Sequence, residues 1–270
     1  MYDRILVPLD GSNFSEEMIP YAEGLAAVHG TTLTLLRVVD KESERDEATL
    51  YVEHVAVAHG ARGRCVVAAG DVADAILEES RREPRTLVAM TSNGRSGLLE
   101  AMLGSVALRL VRHGGAPVLV YRPTGGSARS DTPVKVTSVV LPLDGSDLSE
   151  AMGAQAAEFA RWIGAELVVV AVIDPRTTVD AGVATGDVSE SSYVRSMAST
   201  LASRHGAKVT WEVLHGEPAE AIASFIAGRR DVMLAMVTHG RRALESALLG
   251  SVTSGALRKA GVPVLMRLPK

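Results

Sequence analysis

The sequence predicts an α/β protein built as two tandem, open, five-stranded parallel sheets with helices on both faces. Three observations carry this. The stretch from Thr86 to Tyr121 recurs from Val232 to Arg267, with Gly94, Gly104, Ser105 and Pro117 reappearing as Gly240, Gly250, Ser251 and Pro263. Short apolar runs alternate with helical stretches through each copy, the pattern of a parallel sheet with right-handed crossovers. A Pro-, Gly- and Ser-rich stretch from Pro123 to Pro133 separates the copies and reads as a linker. The expected organisation is a first domain over residues 1–123, a linker over 124–134 and a second domain over 135–270.

Arg4 to Leu9 is a short apolar strand, followed by Asp10-Gly11-Ser12. Ser15, with Glu16 and Glu17 in a first turn that suits acidic residues, opens a helix to about His29. Pro20 falls inside it and is expected to bend it. Thr32 to Val39 is apolar and β-branched, a strand buried on both faces. The charged run Lys41 to Glu47 is expected to begin a solvated loop, with an ill-defined helix following to about His59. Arg64 to Ala69 reads as a strand and Asp71 to Arg82 as a helix. The organising stretch completes the half as strand, glycine turn, helix and strand.

The second half repeats this plan. VVLPLDGSDLSEAM, from Val139, echoes ILVPLDGSNFSEEM, from Ile5. The offset between copies grows from 134 at Asp10 and Asp144 to 146 at Gly70 and Gly216, so the second half carries an insertion between Asp174 and Gly216. Thr177 to Ser192 is its expected seat, as a long polar loop, either a lid or plain mobile chain.

Composition narrows the function. A net charge of −4 offers no basic field for nucleic acid, and 4% aromatic residues offer few stacking surfaces. The longest strongly apolar run, Leu167 to Ile173, is too short to span a membrane. The N-terminal MYDRILVPLD has no signal-peptide pattern, and the single Cys65, read as a core residue, fits a reducing, cytoplasmic setting. Walker, G-x-S-x-G, HExxH and paired-cysteine motifs are missing.

Chemistry is expected at the carboxyl ends of the strands, where such sheets bind ligands. Asp10, Asp40 and Thr91 to Gly94 fall there. A helix N-terminus has unpaired N–H groups and partial positive charge, and a preceding glycine lets an anion approach. Gly104-Ser105 and Gly250-Ser251 could therefore cradle phosphate. The alternative is that Ser105 and Ser251 are ordinary N-caps, and that Asp10 and Asp144 form Asx turns with the glycines after them. Arg95, Arg241 and His239 are further candidates for phosphate, or plain polar turn residues; Asn93 is the counterpart of His239.

These residues resemble the universal stress protein family. VPLDGS, SEE, LLRVVD, GDVADAI, MTSNGRSGLLEAMLGS and PVLVY match in the first half; LPLDGS, VVAVID, GEPAEAI, MVTHG, LLGSV and PVLM match in the second. The chain looks like a tandem member, with two domains of the Rossmann-like, adenine nucleotide alpha-hydrolase-like type. The nucleotide-binding branch of that family carries a glycine, two residues, a second glycine, nine residues, then Gly-Ser or Gly-Thr. The resemblance maps the second glycine to Gly94 and Gly240, and the last step to Gly104-Ser105 and Gly250-Ser251. It implies ATP, with AMP or ADP as alternatives and magnesium as a companion. Phosphates would meet these loops and Val106 and Val252; the ribose would meet Asp10 and Asp144; adenine would meet the backbone at Val38 and Val172. Pro8, Met90, Pro142 and Met236 complete the implied lining. The sequence departs from the pattern at the first motif glycine, which is Thr91 in one half and Val237 in the other. Either the added Cβ crowds the ligand, or the strand runs one residue further and nothing is lost.

Three functional classes follow: a nucleotide-binding stress-response regulator, an interaction module whose site has degenerated, and a weak ATPase. The resemblance also implies that the last strands of the two domains pair in an intramolecular pseudo-dimer, with a homodimer as the other assembly; the sequence names no protein partner. The second half is expected to bind ATP more tightly, through a phosphate contact from the Thr253 hydroxyl where the first half has Ala107, and through His239 when protonated.

Overall fold

The computed structural model describes residues 1–68, 70–92, 103–123, 132–175, 183–238 and 250–268, the side chains of 183–189 excepted. The chain divides into two compact units, Met1–Lys135 and Val136–Lys270.

In the first unit, β1 (Arg4–Leu9) leads into α1 (Asn13–Glu16), then α2 (Ile19–His29) and β2 (Thr32–Val39). The single kinked helix expected from Ser15 is thus two helices. Ser12 caps α1 by accepting from the Ser15 amide, and α2 begins afresh after Met18. Pro20 falls in the first turn of α2, where its missing N–H would have no partner anyway, so it starts a helix instead of bending one. Gly30, at φ 62°, ends α2 in the left-handed conformation that glycine adopts most readily.

A 3-10 turn (Glu42–Glu44) and α3 (Arg45–Ala58) follow. The charged run is therefore largely helical. Asp46 and Glu47 stand in the first turn of α3, where the helix dipole favours acids. Next come β3 (Arg62–Val67), α4 (Val72–Arg81), β4 (Thr86–Thr91), α5 (Ser105–His113) and β5 (Val118–Tyr121). Asp71 caps α4, accepting from the Ala73 amide at 2.8 Å. The strands are parallel in the order β3-β2-β1-β4-β5. Connection direction reverses between β1 and β4, which makes their carboxyl ends the crevice of the sheet.

The second unit repeats the order with β6 (Ser138–Leu143), α6 (Asp147–Glu150), α7 (Gly153–Ile163), β7 (Glu166–Ile173), α8 (Val183–His205), β8 (Val209–His215), α9 (Pro218–Ile226), β9 (Val232–Val237), α10 (Ser251–Lys259) and β10 (Val264–Arg267). Its sheet runs β8-β7-β6-β9-β10, again parallel. The inserted stretch corrects an expectation. From Val183 onward it is helix, extending α8 to 23 residues against 14 in α3. No proline interrupts Val183 to His205, so the backbone can close its own hydrogen bonds there. Residues 177–182 of the expected loop lie outside the described residues.

The central strands are buried throughout, except Pro8 and Pro142, which are half-buried near the ends of β1 and β6. Arg4 is 2% exposed at the start of β1. Its guanidinium donates to Thr86 Oγ1 at 3.0 Å and to the Glu79 carbonyl at 2.6 Å, and it pairs with the buried Glu79 carboxylate at 3.4 Å. Arg64 and Arg82 flank the same carboxylate at 2.8 and 3.2 Å. Residues 124–131 of the expected linker lie outside the described residues, and its end is packed: Val134 is buried and donates its amide to the Pro20 carbonyl at 2.8 Å. Gly24 permits this approach, since a Cβ there would lie 1.8 Å from the Val134 oxygen.

Candidate functional site

The site begins where β4 and β9 end. Both strands run through the positions of the departed glycine. Thr91 pairs with Tyr121 and Val237 with Arg267, and both side chains are buried. Extended backbone suits β-branched residues, so neither position needs the torsions of glycine. The strand therefore runs on through both positions. Met90 and Met236, the preceding residues, are buried in the same strands.

One bond then closes each loop. The Gly104 amide donates to the Ser92 carbonyl at 2.6 Å, and the Gly250 amide to the Thr238 carbonyl at 2.6 Å. Ser92 and Thr238 are themselves held to the last strands, by amide bonds to Tyr121 at 2.8 Å and Arg267 at 3.2 Å. Asn93, Gly94, Arg95, His239, Gly240 and Arg241 lie outside the described residues.

Gly104 and Gly250, not the serines, are the N-caps of α5 and α10. Their φ values of −63° and −61° are open to any residue, so glycine contributes there by having no side chain. Among the described residues neither helix has a side-chain cap. Ser105 and Ser251 are the first helical residues and are exposed, and Val106 and Val252 follow, half-buried. The glycine amides are used in closing the loops, so an anion would meet the amides and hydroxyls of the first turn. Just past the end of β4, the buried Ser92 Oγ has no hydrogen-bond partner among the described residues.

Thr253 corrects the expectation of a phosphate contact. It is 4% exposed, and its hydroxyl donates to the Val237 carbonyl at 2.9 Å. A buried hydroxyl is kept by the nearest acceptor, and here that acceptor is the end of β9. It ties the helix to the strand and turns away from the solvent edge.

Across the crevice, Asp10 and Asp144 form the Asx turns weighed as the alternative. Asp10 Oδ1 accepts from the Ser12 amide at 2.9 Å and the Ser12 hydroxyl at 2.5 Å. Asp144 Oδ1 accepts from the Ser146 amide at 3.1 Å and the Ser146 hydroxyl at 2.5 Å. Gly11 and Gly145 take the positive φ that these turns require, 85° and 71°. Ser15 and Ser149 lock the turns from the helix side, each receiving the aspartate amide at 3.3 Å.

Other residues at the strand ends were not singled out from sequence. Tyr51 on α3 donates to Glu16 at 2.8 Å, and Tyr193 on α8 donates to Glu150 at 2.8 Å. Burial, then these hydrogen bonds, push both hydroxyls above the ordinary tyrosine value. The SE dipeptide repeated after each DGS was a signal for the glutamates; the tyrosines lie at a different offset and gave none. Arg37 on β2 donates to the Leu9 carbonyl at 3.4 Å and the Val38 carbonyl at 3.0 Å. Val38 and Val172 occupy matching places, paired with Val66 and Leu214. Cys65 is half-buried on β3, which borders only β2 within its unit, so it is not the core residue expected.

No helix among the described residues is long and apolar enough to cross a membrane. The model of the universal stress protein family matches residues 1–122 and again 135–267. A universal stress protein of Mycobacterium tuberculosis is 28% identical over 291 residues, covering 97% of this chain and 96% of its own length. One from Methanocaldococcus jannaschii is 30% identical over 135 residues, covering 47% of this chain and 79% of its own. The crystal structure of a universal stress protein from Archaeoglobus fulgidus superposes with a TM-score of 0.67 at 20% identity, covering all of both chains, which is a likeness of fold.

Proposed function

The chain belongs to the universal stress protein family, as a tandem member with one domain in each half, and from that premise we propose that it binds adenine nucleotide, ATP foremost, and acts as a non-enzymatic stress-response regulator. One observation carries this reading. In both domains a helix opens on a glycine with no side-chain cap, across the crevice from an Asp-Gly-Ser turn. Uncapped helix amides with partial positive charge suit phosphate, and a carboxylate at a strand end suits ribose hydroxyls. The buried Ser92 Oγ, without a partner among the described residues, fits the same reading, since a buried hydroxyl ordinarily has one.

On this reading the first-turn amides and the hydroxyls of Ser105 and Ser251 hold the phosphates. Asp10 and Asp144 take the ribose, and the backbone at Val38 and Val172 takes the base. Among the described residues no group of three or more His, Cys, Asp or Glu is arranged to hold a metal; magnesium would arrive with the phosphates. Nucleotide occupancy would then alter a surface read by a protein partner in the cytoplasm.

Denaturing the purified protein and chromatographing the supernatant should release adenine nucleotide. The Gly104→Leu, Gly250→Leu double variant should release none and should not bind added ATP. Unchanged ATP affinity in that variant would sink the reading. Turnover at saturating Mg-ATP distinguishes a regulator from a weak ATPase.

A further inference from the structure

We propose that Arg37 makes the two domains unequal nucleotide receptors: in the first, its guanidinium occupies the Val38 carbonyl, a main-chain acceptor that a base would use, and in the second the matching residue is an alanine. The inference rests on the nucleotide reading above. It starts from the line of strand ends β4, β1, β2. A phosphate at the start of α5 lies beyond β4, and Asp10 lies at the end of β1. Neighbouring strands are about 4.8 Å apart, so β2 ends about 10 Å from β4, roughly the reach of a nucleotide from its phosphate to its base.

At that end a base meets main-chain carbonyls, which accept from an exocyclic amine. In the first domain the Val38 carbonyl, with that of Leu9 beside it, already receives Arg37 Nη1. A charged donor makes a stronger bond than a neutral amine, so the base must displace it. Leu9 and Arg37 are register partners, and the equivalent pair in the second domain is Leu143 and Ala171. Alanine has no donor, so the Val172 end is not contested in this way.

Charge works in the other direction, because Arg37 also attracts phosphate. That attraction acts across about 10 Å, close to a Debye length at 0.1 M salt, and is largely screened at the solvent edge. Contact at the carbonyls is direct. Competition for the base therefore outweighs attraction for the phosphates.

The test is calorimetric titration with ATP and with inorganic tripolyphosphate, which has no base. In the Gly250→Leu background, where only the first site remains, Arg37→Met keeps the apolar stem and removes the donors. It should tighten ATP about tenfold, the scale of one charge-assisted hydrogen bond, without tightening tripolyphosphate. In the Gly104→Leu background the same substitution should change neither ligand. If a leucine variant does not fold, the two-site isotherm of the otherwise unaltered chain carries the test, and Arg37→Met must tighten one site alone. ATP affinity that is unchanged or weaker at the first site overturns the inference while leaving the nucleotide reading intact. Loss of ATP binding from every form, with thermal unfolding preserved, overturns both.

Discussion

Thr253→Val separates a structural hydroxyl from a ligand-binding one. The substitution keeps the shape of the side chain and removes the donor to the Val237 carbonyl, a 2.9 Å bond at a residue 4% exposed. A buried neutral hydrogen bond contributes about 1 kcal/mol net, and a carbonyl left short of a partner adds to the loss, so about 1–2 kcal/mol is expected. For a domain of this size that lowers the melting temperature by about 4 °C per kcal/mol. The chain has two tryptophans, Trp162 and Trp211, and both lie in the second domain. Tryptophan fluorescence in urea therefore reports the affected domain, and its midpoint should fall with the slope unchanged. ATP affinity should stay within about twofold, a change of less than about 0.5 kcal/mol, because the hydroxyl is buried and already held by the Val237 carbonyl. An unmoved midpoint together with a several-fold loss of ATP affinity would refute the structural assignment and restore the phosphate contact.

Three further outcomes are expected. Gly24→Ala should lower the first domain's melting temperature by calorimetry, because strain of about 1–3 kcal/mol against the Val134 oxygen exceeds the roughly 1 kcal/mol gained in helix propensity; an unchanged or higher value would contradict the packing of that segment. Hydrogen bonds from Arg229 and then Thr137 hold the Asp231 carboxyl below its ordinary 3.8, so its contribution to stability is present above that value and is lost as pH falls through the lower folded one. Acid should therefore lower the second domain's unfolding midpoint below about pH 4 less steeply in Asp231→Asn than in the parent, and parallel curves would count against it. Tyr51 and Tyr193 ionise above the ordinary tyrosine value of 10, so replacing both by Phe should leave the phenolate absorbance rise around pH 10 unaltered; a smaller rise would show that they titrate normally.

Strands were the most legible part of the chain. Thr32–Val39 and Arg4–Leu9 came out at their expected bounds, because a parallel strand covered on both faces leaves an unbroken apolar run. Helices were read less well where local signals competed. Lys41 to Glu47 reads as a loop by charge, yet those acids suit a helix start, and Pro20 reads as a kink only if the helix begins at Ser15. Around the candidate site, the turns at Asp10 and Asp144 and the helix starts at Gly104 and Gly250 are legible, since turn residues announce their own backbone. Arg37, Tyr51 and Tyr193 were not, because long side chains meet groups from other elements and the sequence carries no trace of that meeting. Thr253 failed for another reason: a hydroxyl one turn into a helix can face ligand or strand, and only burial decides between them.

The bonds from Gly104 to Ser92 and from Gly250 to Thr238 make a splice point of each loop mouth. Strand end and helix start are fastened to each other there by main-chain atoms. The intervening segment can therefore be lengthened, shortened or exchanged as a cassette, while the helix amides keep their aim. Variation in ligand or partner can be written into that cassette without retuning the sheet, and a chain with two such mouths can diversify one while keeping the other.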